Sequence, residues 1–143
     1  MKRKISRPRF IRLGATAGLG SVGVAGSAAC GGSDGGKEVA RGQAIAKETD
    51  LPPGSAVAFT DATTGKPGVL VRLKGGEFVA YSAECTHQGC TVSYRAKGKG
   101  CLACPCHGSV FDPASSGKVV SGPADEPLPR LHIQARYGRI FRA

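Results

Sequence analysis

No stretch of this chain repeats the apolar spacing of a helix over a useful length, which argues against a helical bundle or a coiled coil. No internal repeat is present, so solenoid and propeller architectures drop out as well. Tryptophan is absent, while apolar content is ordinary at 41% of 143 residues, enough for one domain. No uncharged run is apolar enough for a comfortable membrane span, which needs about 20 mostly apolar residues. The best candidate, residues 13–29, is interrupted by Gly14, Gly18, Gly20, Gly23 and Gly26. A basic stripe with interleaved aromatics is also missing. The net charge of +10 owes six charges to Lys2, Arg3, Lys4, Arg7, Arg9 and Arg12. From Cys30 onward 14 Lys/Arg face 10 Asp/Glu, a scattered +4. That distribution argues against a nucleic-acid partner.

What is present begins with a leader. Residues 1–12 are basic, 13–29 uncharged, and SAAC at 27–30 offers small residues at a cleavage point, the three-part build of an export signal. SRPRFIR at 6–12 resembles a twin-arginine signal, with Pro8 between Arg7 and Arg9. SAAC resembles a lipoprotein cleavage box, with Ser27 where leucine is usual. That resemblance implies that Cys30 is lipidated; a simple cleaved signal and a retained anchor are the alternatives. The expected organisation is a signal over 1–29, a flexible tether over 30–50 and a folded domain over 51–143. The outer face of the cytoplasmic membrane is the expected location.

Glycine is abundant at 22 residues, which predicts many turns. AVAFTDA (56–62), PGVLVRL (67–73) and EFVAYSA (77–83) are short, rich in β-branched and aromatic residues, and bounded by Gly or Pro. GKPG at 65–68 and KGG at 74–76 are turn signals. RLHIQAR and GRIFRA, separated at Tyr137-Gly138, predict a closing hairpin. The expected class is all-β, a small antiparallel sandwich or open barrel, with the cysteine motifs on loops.

Six cysteines occur: Cys30, Cys85, Cys90, Cys101, Cys104 and Cys106. A disulfide framework would suit an exported domain but leaves His87 and His107 unexplained. Zinc suits the Cys101-x-x-Cys104 spacing, yet leaves a remainder of thiols. A third reading takes Cys85-x-His87 and Cys104-x-x-His107 as half-sites on one [2Fe–2S] centre, with the histidines on one iron.

CTHQGC (85–90) and CPCHGS (104–109) resemble the two cluster-binding boxes of the Rieske iron–sulfur proteins, and GPADEPLP (122–129) resembles the proline loop that covers the cluster. The resemblance extends over about residues 55–143. It implies one [2Fe–2S] cluster per chain, with Cys85 and Cys104 on one iron, His87 and His107 on the other, and a Cys90–Cys106 disulfide. It also implies the disulfide-containing branch, which works outside the cytosol. Cys101 has no role in the family and is expected to be a strand cysteine packed inside. Two neutral imidazoles in place of two thiolates make the site less negative. Such centres span roughly −150 to +300 mV, against about −400 mV for plant-type all-cysteine clusters.

The expected function is electron transfer as a subunit or partner of a membrane redox complex. The redox partner is expected to be a cytochrome or a quinol-oxidising membrane subunit, with attachment through a lipid anchor or that partner. The alternatives are the small subunit of a molybdenum oxidase such as arsenite oxidase, or a stand-alone carrier lipoprotein. A terminal oxygenase fails on inventory: only His132 remains for a second iron site. A structural zinc lipoprotein is the non-redox competitor. Within GSVFD (108–112), Ser109 can reach a bridging sulfide. Phe111 stands where many bc-complex relatives have a tyrosine that donates to a cysteine ligand.

Overall fold

A computed structural model describes residues 36–143. The leader and Cys30 lie outside the described residues. β3 (Ser55–Asp61), β4 (Lys66–Arg72) and β5 (Phe78–Ser82) form an antiparallel meander, from the segments whose β-branched and aromatic content and flanking turns marked them as strands. β10 (Ile133–Arg136) and β11 (Arg139–Arg142) form the expected hairpin, turning at Tyr137-Gly138. Two strands precede them in the chain. β1 (Lys37–Val39) adds to β3 in parallel, and β2 (Ala44–Lys47) pairs antiparallel with β11.

Those two strands correct the expected tether over 30–50: from Lys37 onward it belongs to the domain. Val39 and Ile45 are buried with Leu51, Phe59, Leu70, Ala80 and Ile140. One buried side chain per strand is enough to seat a short edge segment, and too little to show a period in the sequence. The parallel β1–β3 pair also departs from an all-antiparallel expectation.

A third sheet carries β6 (Ser93–Arg95), β7 (Cys101–Ala103), β8 (Val110–Asp112) and β9 (Lys118–Ser121), in that order and antiparallel. Its inner face joins the first sheet around Val71, Tyr81, Leu102, Phe111 and Leu128. This core also holds Cys85 and Cys104. Tyr81 is fully buried, and its hydroxyl donates to the Pro113 carbonyl at 2.8 Å. Burial raises its pKa above the ordinary value, with smaller electrostatic effects from Arg130 and Asp112. No helix among the described residues is long and apolar enough to cross a membrane.

Candidate metal centre

Two loops at one end of the sheets bring the sequence-predicted residues together. Loop 83–92 joins β5 to β6, and loop 104–109 joins β7 to β8. Both are wound the same way. The Cys85 N–H donates to the Cys90 carbonyl at 2.9 Å, and the Gly89 N–H returns to the Cys85 carbonyl at 2.8 Å. In the second loop the Cys104 N–H donates to the Ser109 carbonyl at 2.8 Å, and the Gly108 N–H to the Cys104 carbonyl at 3.2 Å. Gly89 and Gly108 close these turns at φ 76° and 75°, a left-handed backbone that side chains resist.

The winding turns each first cysteine inward. Cys85 and Cys104 are free thiols, both buried. His87 is half-buried and His107 exposed. Their rings meet edge to face with centroids 4.8 Å apart. Cys90 and Cys106, the remaining cysteine of each loop, are joined in a disulfide with a Cα–Cα distance of 6.4 Å.

One atom tests whether this arrangement suits a metal. His87 Nδ1 is buried and has no hydrogen-bond partner. An unsatisfied buried polar atom costs about 1–3 kcal/mol. A metal–nitrogen bond removes that cost, and thiolate with imidazole is a donor set that iron–sulfur chemistry accepts. The Sγ atoms of Cys90, Cys104 and Cys106 also lie within 4.8 Å of one another. Two of those three are bonded to each other, so this trio places the disulfide beside the site and supplies only Cys104 as a donor.

Segment 122–129 clamps both loops. The Ala124 N–H donates to Ser109 Oγ at 3.1 Å, and Thr86 Oγ1 donates to the Glu126 carbonyl at 2.7 Å. Ser109 is fully buried. Because its oxygen accepts from Ala124, its own proton is left to donate elsewhere. Phe111 is fully buried in the core that holds both free thiols. Thr86 and Ala124 were not marked by the sequence. Thr86 lies inside the first motif, but its partner is 40 residues away.

The first loop stands over a cleft of about 740 Å³ lined by Asp61, Lys66, Glu84, His87, Glu126 and Arg142. Lys66 pairs with Glu84 at 2.8 Å, and Arg142 Nε donates to Asp61 Oδ2 at 3.0 Å inside the domain. Burial pushes the Asp61 carboxyl up, but the Thr63 N–H and the Arg142 guanidinium outweigh it and hold the pKa below the ordinary value. Cys101 lies on β7, paired across with Arg95. It is half-buried rather than packed inside, since it opens its strand and pairs only with Arg95, with no β8 residue opposite it. His132 is exposed, away from both loops in the chain.

Residues 42–132 match the family profile of the Rieske [2Fe–2S] domain. The cytochrome b6-f complex iron–sulfur subunit of Chlorobaculum tepidum is 33% identical over 97 residues, 68% of this chain and 50% of that protein. The cytochrome bc1 complex Rieske iron–sulfur subunit of Streptomyces lividans is 47% identical over 55 residues, 38% of this chain and 32% of that one. The chain thus matches half or less of the length of these curated relatives. Among solved structures, the plasma membrane Rieske protein of Synechocystis superposes with a TM-score of 0.62 at 28% identity, covering 71% of this chain and 98% of that one.

Proposed function

The chain belongs to the Rieske [2Fe–2S] family, and on that premise we propose that it carries electrons on the outer face of the cytoplasmic membrane for a membrane redox complex. The cluster supplies one-electron transfer when bound. We assign Cys85 and Cys104 to one iron and His87 and His107 to the other. The observation that carries this reading is the pair of buried free thiols beside two facing imidazoles, one with an orphaned buried nitrogen.

The residues divide the work. Cys85 and Cys104 hold their side of the site away from water. His107, exposed at the tip, gives a partner protein a contact reached through a conjugated ring. An imidazole nitrogen not used for ligation can bind or release a proton as the charge of the site changes. The disulfide ties the two loops together, and such bonds persist outside the cytosol, which supports the outward placement. The similarity to b6-f and bc1 subunits supports a cytochrome or quinol-oxidising subunit as partner.

Purified holoprotein should show the visible and electron-resonance spectra of a Rieske centre; a colourless protein with one zinc ion would refute the reading. Attachment through Cys30 is tested by metabolic labelling with a fatty-acid analogue. We expect the label on Cys30 as the first residue of the mature chain. Unlabelled protein in the soluble fraction would point to a simple signal peptide.

A further inference from the structure

An exposed aromatic stands among cations at the end of the domain remote from the cluster loops. β10 and β11 are joined through Tyr137 at φ 52° and Gly138 at φ 68°. A two-residue turn of this kind favours Asn, Asp or Gly in its first position. A tyrosine is strained there, and its 94% exposure means that no packing within the domain offsets the strain. Arg136 and Arg139 flank the turn as a cross-strand pair, and Lys47 on β2 pairs with Arg139. All three are exposed.

Further contacts locate this tip. The Gly138 carbonyl accepts from the Glu48 N–H at 2.9 Å. Arg72 Nη1 donates to the carbonyls of Glu48 and Leu51, and Arg72 pairs with Ser55, the first residue of β3. Lys74 packs beside Gly54, and its ammonium donates to the Gly98 carbonyl, which adds Lys97 and Lys99 to the same end. Glu48, Asp50 and Glu77 are the acids among these six exposed cations. β3 runs from here to Asp61, in the cleft under the first cluster loop.

We propose that this end docks on anionic lipid headgroups, with Tyr137 entering the membrane interface and the cluster turned toward the aqueous phase, the side from which a cytochrome rather than a quinol-oxidising subunit reaches it. Tyrosine suits that boundary because its ring is apolar and its hydroxyl wet. Clustered Lys and Arg are drawn to an anionic surface. The proposal rests on the membrane placement proposed above.

The absence of tryptophan supplies the test. Full-length holoprotein carrying Tyr137→Trp has a single indole reporter. A second protein carrying Val120→Trp, at a position 63% exposed on β9, serves as control. With phosphatidylglycerol vesicles we expect a blue-shifted emission for Tyr137→Trp, none for Val120→Trp, and no shift with phosphatidylcholine. Adding Arg136→Ser and Arg139→Ser should lower vesicle partitioning about 30-fold. Binding through the leader or a lipid anchor would bring the chain to the vesicle without burying position 137. The proposal is therefore overturned if Tyr137→Trp does not shift, if both reporters shift equally, or if only an acidic protein elicits the shift. The visible spectrum of the same samples reports on the electron-carrier reading separately.

Discussion

Loops 83–92 and 104–109 are wound by the same pair of backbone hydrogen bonds around a buried cysteine, yet they stand in different surroundings. The first half-buries its histidine, leaves Nδ1 without a partner, and rests over the Asp61–Arg142 pair. The second exposes its histidine and is backed by Ser109, held from behind by Ala124. Two similarly wound loops thus differ in what surrounds them, which suits the proposed division of one metal site into an anchoring half and a half that meets a partner and is tuned from the core side.

The largest effect should come from removing a proposed ligand. Replacing Cys85, His87, Cys104 or His107 by Ala should abolish the cluster, because each loop supplies half of one site. Visible absorption and iron content check it. A normal cluster in His87→Ala would mean that the loops are not equivalent as ligand donors.

Next in size is the support under the first loop. Asp61→Asn leaves Arg142 without its counter-charge and should cost about 3–5 kcal/mol, read by denaturant unfolding. The folded pKa of Asp61 is lowered, so its stabilisation is full above the ordinary carboxylate value near 3.9 and is lost as pH falls through the lower folded value. The gap between the two proteins should therefore narrow below about pH 4. A gap that is constant down to pH 2 would show that the charge of Asp61 does not matter.

The link between the loops comes third. Opening the Cys90–Cys106 disulfide with Cys106→Ser should cost about 3 kcal/mol, since it closes a loop of about 15 residues. Calorimetry should show a fall in Tm of about 10 °C or more. No fall would mean that the clamp by segment 122–129 suffices to hold the loops together.

The smallest effect concerns tuning by the second loop. A hydrogen bond to the site favours the more negative, reduced state. Ser109→Ala should therefore lower the midpoint potential, and Phe111→Tyr should raise it by about 40 mV, if about 1 kcal/mol of the new bond distinguishes the redox states. Protein-film voltammetry reads both. No rise on adding the tyrosine would mean that position 111 does not face the cluster.

Much of this was legible in residue order. The meander β3–β5 and the closing hairpin announce themselves through short runs of β-branched and aromatic residues and through turns at Gly65, Gly76 and Gly138. The candidate site is legible because its proposed donors sit two or three residues apart within each motif. β1 and β2 were hidden because each buries a single apolar side chain, and the parallel pairing of β1 with β3 leaves no local signal. β6 to β9 have only three or four residues each, too few to show a period. The clamps from Thr86 to Glu126 and from Ser109 to Ala124 depend on tertiary approach, which no local pattern encodes.

On the proposed ligation, two histidines and two cysteines share one cluster. Nitrogen hyperfine coupling in the electron-resonance spectrum of the reduced holoprotein tests it most directly. Two histidine nitrogens coupled to the cluster spin are predicted, one from each loop. A reduced cluster without nitrogen coupling, or with only one, would mean that His87 and His107 do not both bind iron.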